Sequence, residues 1–314
     1  MVSGDFPTVV SPNPEEPAAL AMAVEKAKEI DADIVMASDP DADRVGAAVK
    51  NNEGEWVLLN GNQTALMFVY YLITRWKELG KIQGKEYIVK TIVTTETIKT
   101  IAERNGVEIY DVYTGFKWIA NVMRMNEGKK SYIGGGEESY GFLCEDFVRD
   151  KDAVSACVIL AEIAAWAKDQ GLSLYQLLQK IYVEYGFSKE KGISVVKKGK
   201  SGAEEIEAMM KQFRQNPLQE IAGSKVSLFL DYATLKGMDY LAGETISLDM
   251  PTTSNVLQYF TEDGTKISIR PSGTEPKIKF YCEVHSTVKD ASELPAADAA
   301  AAAKIEAIKA SLGI

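Results

Sequence analysis

Three aspartates, Asp39, Asp41 and Asp43, stand two residues apart directly after the short apolar run Ile34-Val35-Met36-Ala37, and Arg44 closes the group. Carboxylates bunched in this way suit a hard divalent cation, Mg²⁺ above all, which takes oxygen ligands. In an extended backbone, alternate side chains point the same way about 6.6 Å apart. Octahedral Mg²⁺ brings neighbouring ligand oxygens to roughly 3 Å. The loop is therefore expected to curl, which Pro40 and the small Ala42 suit, while Arg44 can offset crowded negative charge or meet an anionic substrate. An EF-hand loop beginning at Asp39 would need Gly at its sixth position and Glu at its twelfth, where Arg44 and Lys50 stand. The bland alternative is a solvated acidic turn, which three crowded carboxylates make costly without a counter-ion.

Other stretches carry weaker chemistry. Arg270-Pro271-Ser272-Gly273-Thr274-Glu275-Pro276-Lys277 lies between two predicted strands. Its small residues leave backbone N–H groups exposed, its hydroxyls can donate to oxygen, and the Arg270 fork matches a phosphate. A plain hairpin loop gives the same Ser-Gly and Glu-Pro signals. Gly134 to Gly141 is not a dinucleotide fingerprint, because Ser139 stands where a third Gly would be needed. Glu137, Glu138 and Ser139 on that glycine-rich loop suit sugar hydroxyls instead. Gly199-Lys200-Ser201 lacks the first glycine of a Walker loop and reads as a turn. Lys117 follows Gly115 at a strand-to-helix junction that favours anions, where it either binds phosphate or moves protons; a surface lysine is the alternative. His285, the sole histidine, reads as structural.

These residues need a scaffold. A helix over Pro17 to Glu29 precedes the strand Ile34 to Ala37, expected as a buried strand of an α/β layer with the carboxylates at its C-terminal edge. Val45 to Val49 is a second strand, and one helix on so few strands makes this first segment half a domain. From Leu59 to Glu184 helix and strand signals alternate. They give a helix from Asn62 or Thr64 to Leu79, a strand over Tyr87 to Val93, and a helix over Thr97 to Asn105. A strand over Val107 to Val112, a helix through Met125, a strand over Ser131 to Ile133 and helices over Ala153 to Lys168 and Leu174 to Tyr185 follow, forming a complete α/β domain. Beyond Phe187, strands at Ile193 to Val196, Lys225 to Tyr232, Val256 to Phe260, Lys266 to Arg270 and Lys277 to Val284, with helices at Ala203 to Arg214 and Ala296 to Leu312, indicate an α+β domain with a mostly antiparallel sheet. The expected domains are 1–58, 59–186 and 187–314.

Length and composition agree with two or three soluble domains. A net charge of −10 without a Lys/Arg tract speaks against nucleic acid, and the longest apolar run, Ala65 to Ile73, is too short to cross a membrane. Three widely spaced cysteines, Cys144, Cys157 and Cys282, suit reduced thiols and a cytoplasmic location.

Taken together, Ser38-Asp39-Pro40-Asp41-Ala42-Asp43-Arg44, Thr114-Gly115-Phe116-Lys117, Gly136-Glu137-Glu138-Ser139-Tyr140-Gly141 and Arg270-Pro271-Ser272-Gly273-Thr274-Glu275-Pro276 strongly resemble the α-D-phosphohexomutase family. The likeness is to its phosphoglucomutase/phosphomannomutase members, with a phosphopentomutase-like signature. The resemblance implies α/β domains followed by an α+β C-terminal domain, and transfer of a phosphoryl group between the 1- and 6-positions of a hexose through a bisphosphate. It also implies Mg²⁺ on Asp39, Asp41 and Asp43, with Arg44 orienting the phosphoserine or the substrate and Lys117 near the reacting hydroxyl. Glu137 and Ser139 would hold the sugar, and Arg270, Ser272, Gly273 and Thr274 the distal phosphate, so that the partners are hexose 1-phosphate, hexose 6-phosphate and hexose 1,6-bisphosphate. The family's catalytic serine sits in a Thr-Ala-Ser-His-Asn-Pro-like loop. Here only Ser11-Pro12-Asn13-Pro14 bears any likeness, with Pro for His and 28 positions before Asp39, and Ser11 reads as an ordinary loop residue. The expectation is therefore a C-terminal portion that lacks the N-terminal phosphoserine domain, is inactive or weakly active, and has that missing domain as a further partner. The alternative is a truncated phosphosugar-binding protein that is not an enzyme, and a metal-dependent phosphatase would need a nucleophile not found here.

Overall fold

The computed structural model describes residues 3–197, 199–273 and 275–314, and the chain folds as two compact units, Met1–Tyr185 and Gly186–Ile314. The first unit opens with α1 (Pro17–Glu29), started by Pro17 and finished by Lys26 and Lys28, which favour the dipole at a helix C-terminus. Strands β1 (Ile34–Ser38), β2 (Val45–Lys50) and β3 (Trp56–Leu59) follow as an antiparallel sheet in the order β1-β2-β3. Leu20 and Ala27 of α1 pack with Val35 and Ala48 of the sheet. The expected buried strand of an α/β layer is corrected here: β1 is an edge strand in which only Val35 is fully buried. The apolar run had suggested two covered faces, but antiparallel pairing leaves one side of this edge half-exposed.

Helix α2 (Gly61–Glu78) starts before the predicted Asn62 or Thr64. Asn60 accepts from the Gln63 N–H at 2.8 Å while the Gln63 side chain accepts from the Asn60 N–H at 2.9 Å, a reciprocal capping box. The chain continues through β4 (Glu86–Thr91), α3 (Thr97–Arg104), β5 (Glu108–Val112), α4 (Phe116–Asn126), β6 (Ser131–Gly136), β7 (Phe142–Cys144), α5 (Ala153–Asp169) and α6 (Leu174–Tyr185). The sheet order is β5-β4-β6-β7, parallel in its first three strands and antiparallel at β7. Tyr87, Val89, Val112, Ile119, Tyr132 and Leu143 belong to the core between this sheet and α4. Because the three parallel strands end at Thr91, Val112 and Gly136, the segments that follow them share one sheet edge, where α/β folds place ligands.

The second unit holds β8 (Phe187–Val196), α7 (Gly199–Gln215), β9 (Glu220–Ile221), β10 (Ser224–Asp231), β11 (Lys236–Asp239), β12 (Glu244–Ser247), β13 (Leu257–Thr261), β14 (Lys266–Pro271), β15 (Lys277–Ser286) and α8 (Leu294–Leu312). Its strands pair antiparallel in the order β12-β11-β10-β13-β14-β15-β8, with β9 on β10, as expected for an α+β domain. Helix α8 packs on β8 and β15, burying Ala301, Ile305, Ile308 and Leu312. Inside the sheet the Lys266 ammonium lies 2.9 Å from the buried Glu283 carboxylate, whose other oxygen meets His285 Nε2 at 2.7 Å. Burial pushes the His285 pKa down, but Glu283 outweighs it and holds the pKa above its usual value. The sole histidine thus has a structural partner.

Candidate functional site

The aspartate loop curls as its spacing requires. Asp39 Oδ1 accepts from the N–H groups of Asp43 and Arg44, each at 3.0 Å, and Oδ2 accepts from Arg44 Nε at 2.6 Å. The Ala42 N–H donates to the Asp39 carbonyl at 3.0 Å, and Ala42 adopts a positive φ of 58°, which costs energy for a residue with a side chain. Its carbonyl accepts from the Ala153 N–H at 3.0 Å, so the first turn of α5 holds the strained residue in place. The outcome is that oxygens of Asp39, Asp41 and Asp43 lie within 4.8 Å of one another. Asp39 is buried, Asp43 half-buried and Asp41 exposed. Burial pushes the Asp39 carboxyl up, but the Arg44 and Asp43 N–H groups and the Arg44 guanidinium win and hold it below its usual value.

The donor set fits Mg²⁺. An octahedral ion at 2.0–2.1 Å sets opposite oxygens roughly 4.2 Å apart, so three carboxylates already within 4.8 Å need only a small inward movement. The loop also attracts a cation of its own, because Lys151 Nζ lies 2.8 Å from Asp43 Oδ2. Arg44 is committed to this loop: besides Asp39, its Nη1 donates to Asn13 Oδ1 at 3.2 Å and lies 3.6 Å from Glu15 Oε1. Ser11, Pro12 and Asn13 line an open cavity of about 420 Å³ with Pro40, Asp41 and Arg44.

The loop between β6 and β7 meets the aspartate loop directly. Arg44 and Gly141 form an antiparallel bridge, and the Val45 N–H donates to the Tyr140 carbonyl at 3.0 Å. Gly61, the first residue of α2, lets that helix start against the β6–β7 loop: a Cβ there would stand 2.1 Å from the Glu138 carbonyl oxygen and 2.7 Å from the Tyr140 nitrogen. Glu137 is buried and accepts from the Gly115 N–H at 2.8 Å, which ties the Thr114 to Lys117 turn to the same edge. Burial pushes its carboxyl pKa up, against the Gly115 N–H and the Lys151 charge. Glu138 accepts from Thr91 Oγ1 at 3.1 Å and Thr94 Oγ1 at 3.5 Å. Beneath them Lys90, fully buried, lies 2.7 Å from Asp111 and 2.9 Å from Glu96, and these carboxylates overcome desolvation to hold its pKa up. Ser139 is half-exposed beside Glu138. Lys117 is exposed at the start of α4, its ammonium 5.2 Å from the Trp118 ring centre. Asp39, Asp41, Asp43, Arg44, Glu137 and Ser139 therefore share one locality of the first unit.

In the second unit Arg270 is half-buried near the end of β14. The turn after it closes on itself: the Ser272 N–H donates to the Lys277 carbonyl at 2.7 Å, and the Glu275 N–H donates to Ser272 Oγ at 3.3 Å. Gly273 is exposed, with open space where a Cβ would go, and Thr274 lies outside the described residues. Pro271, Ser272 and Gly273 flank a cavity of about 580 Å³ whose apolar wall is Ala203, Ile206 and Met210 of α7. A short turn of small residues beside an arginine suits an anionic group.

Residues 2–54, 60–185 and 194–301 match, in order, the family models described as phosphoglucomutase/phosphomannomutase alpha/beta/alpha domain II, alpha/beta/alpha domain III and C-terminal domain. The phosphoglucomutase of Staphylococcus aureus strain MRSA252 is 39% identical over 277 residues, covering 88% of this chain and 49% of its own length. The chain belongs to the α-D-phosphohexomutase family. It spans about half the length of the curated relatives it matches. A phosphoglucomutase/phosphomannomutase family protein from Burkholderia thailandensis has the same fold, at a TM-score of 0.62 and 19% identity over 98% of this chain and 53% of its own. So does a putative phosphomannomutase from Thermus thermophilus, at 0.57 and 20% over 88% and 48%.

Two residues of this locality carry no local signal in the sequence. Lys151 stands in Arg149-Asp150-Lys151-Asp152, a run of alternating charge that reads as solvated surface, and Asn13 in a Pro-rich entry that reads as a loop. Tertiary structure alone brings them to Asp43 and Arg44. Asp152 supplies one cause, since its side chain caps α5 by accepting from the Ser155 N–H at 3.0 Å and so fixes where Lys151 leaves the backbone.

Proposed function

We propose that these residues form the metal-, sugar- and phosphate-binding portion of a Mg²⁺-dependent phosphoglucomutase/phosphomannomutase, which moves a phosphoryl group between the 1- and 6-positions of a hexose by way of hexose 1,6-bisphosphate. The observation that carries this reading is the carboxylate group of Asp39, Asp41 and Asp43, joined by backbone hydrogen bonds to the loop of Glu137 and Ser139. Bound Mg²⁺ would supply charge neutralisation at the transferring phosphoryl group. Asp39, Asp41 and Asp43 would hold it, with Asp39 kept ionised and oriented by Arg44. Glu137 and Ser139 would bind sugar hydroxyls, and Lys117 would meet the reacting hydroxyl. Arg270, Ser272, Gly273 and Thr274 would grip the distal phosphate, so that binding energy from the non-reacting end is expressed in the transition state. The working division is 1–58, 59–186 and 187–314, in the cytoplasm.

No Thr-Ala-Ser-His-Asn-Pro-like loop occurs in the 314 residues. We therefore assign the phosphoryl-carrying serine to an N-terminal domain of the same protein, and these residues alone to binding with little turnover. The test is mutase turnover of the purified chain with glucose 1-phosphate, Mg²⁺ and a trace of glucose 1,6-bisphosphate, alongside bisphosphate binding by calorimetry. Little turnover is expected, with Mg²⁺-dependent binding that Asp41→Ala abolishes. Robust turnover lost in Asp41→Ala would place a phosphoryl acceptor within this chain, with Ser11 the first to be substituted. Absence of bisphosphate binding would refute the reading.

A further inference from the structure

Lys151 occupies an unusual position between two loops. Its ammonium lies 2.8 Å from Asp43 Oδ2, its stem passes over Gly141, and its tip sits 5.9 Å from the centre of the Phe116 ring. A Cβ on Gly141 would stand 2.1 Å from the lysine Cδ, so the missing side chain is what opens the passage from the start of α5 to the aspartate loop. Of the three carboxylates, Asp39 is paired with Arg44 Nε at 2.6 Å, Asp43 with Lys151 on Oδ2 and more distantly with Arg44 Nε 3.7 Å from Oδ1, and Asp41 is exposed. We propose that Lys151 is an internal counter-ion which a divalent cation must displace from Asp43, and that its displaced ammonium is handed to the neighbouring Glu137 loop.

The proposal rests on the metal-site reading above and adds to it a coupling between metal and sugar. A doubly charged ion on Asp43 both competes for its carboxylate oxygen and repels the ammonium at a few ångströms, where the medium screens poorly. Packing over Gly141 holds the stem, so only the tip has room to swing. Two other acids feel its charge: Asp150, exposed, with Oδ1 3.8 Å away, and Glu137, buried. A metal bound at the aspartate loop thereby turns a positive group toward the loop where an anionic sugar phosphate would lie. Reciprocally, an anion that draws Lys151 away relieves competition at the metal, as linkage requires.

The test is Mn²⁺ titration of the whole 314-residue chain followed by electron paramagnetic resonance, for wild type, Lys151→Met and Lys151→Arg. Methionine keeps the stem and removes the charge, and the expected result is Mn²⁺ binding roughly tenfold tighter than wild type, with Lys151→Arg near wild type. Lys151→Met binding Mn²⁺ no more tightly than wild type overturns the exchange while leaving the metal site intact. Wild type that binds no Mn²⁺ refutes the metal-site reading itself, and the exchange with it. A second readout needs no variant: in lysine-selective ¹⁵N spectra, saturation with Mg²⁺ shifts the Lys151 ammonium resonance, and a spectrum that Mg²⁺ leaves unchanged overturns the proposal.

Discussion

The Asp39 to Asp43 and Glu137 to Ser139 loops of the first unit and the Ser272 to Lys277 turn of the second present polar groups in opposite ways. In the first unit the groups are interlocked: Asp39 takes three hydrogen bonds, Glu137 takes one from a loop 22 residues away, and Gly61 lets the start of α2 meet the Glu138 to Tyr140 backbone. In the second, the Ser272 to Lys277 turn makes bonds of its own, its Pro276 carbonyl accepts from the Lys197 N–H at 2.9 Å, and Gly273 faces open space. Buried carboxylates lose hydration and need fixed partners, whereas backbone N–H groups aimed at an incoming anion work best uncovered. The first region is thus held between distant loops; the second is tied at its base, to β15 and Lys197, and open at Gly273.

On that contrast, substitutions in the first region should cost stability and those in the Ser272 to Lys277 turn should not. All four tryptophans, Trp56, Trp76, Trp118 and Trp166, lie in the first unit, so tryptophan fluorescence follows its unfolding alone. The largest effect is expected for Asp39→Ala, which leaves the Arg44 guanidinium and two N–H groups without their acceptor. Breaking a buried pair costs about 3–5 kcal/mol. The side chain of Arg44 is 29% exposed, so we expect about 2–3 kcal/mol in urea unfolding. Next comes Gly61→Ala, where the obstacle is backbone rather than a flexible side chain; a loss of about 2 kcal/mol is expected, with weaker sugar-phosphate binding. Either variant unfolding like wild type would remove the interlocking from the account.

Acid and base should separate the two carboxylates of the first region by sign. The folded pKa of Asp39 is lowered, so its contribution is present above the unfolded value, about 3.9, and is lost as pH falls through the folded one. The folded pKa of Glu137 is raised, so its contribution is present at low pH and is lost as pH rises through the folded value, starting from about 4.3. Melting followed by tryptophan fluorescence from about pH 3 to pH 8 should therefore show Asp39→Asn approaching wild type at the acid end. Glu137→Gln should gain on wild type toward the neutral end. Parallel curves for all three proteins would mean that neither carboxylate differs between the folded and unfolded states.

Much of this was legible because it is local. The aspartate spacing required the curl that brings the three carboxylates together, and the helices α1 and α6 run to the ends read from the sequence. What escaped was set at a distance or had little pattern to show. Lys151 is 108 positions from Asp43, and Asn13 is 31 from Arg44. The hairpin of β11 and β12 is short, mostly uncovered and without apolar alternation, and β7 has only three residues. Strand β1 misled for the opposite reason, since Ile34 and Met36 look like core yet lie half-exposed on a sheet edge. Both failures follow from the same physics: periodicity reports how a segment meets its surroundings, and an edge or a long-range ion pair is decided by what the fold brings alongside.

The smallest effect is the one that most sharpens the contrast. Gly273 has no positive φ and nothing within 4 Å of where a Cβ would stand, so alanine fits the folded turn without strain. Alanine also narrows the unfolded ensemble, and Gly273→Ala is expected to leave the second unit unchanged or more stable by about 0.5 kcal/mol, measured by hydrogen exchange in β14 and β15. The same one-carbon addition at Gly61 should cost the first unit several times that. The pair therefore compares an identical chemical change in an interlocked loop and in an open one. A Gly273→Ala loss equal to that of Gly61→Ala would mean that the Ser272 to Lys277 turn is held as tightly as the Glu137 to Tyr140 loop, by contacts that its open geometry does not suggest.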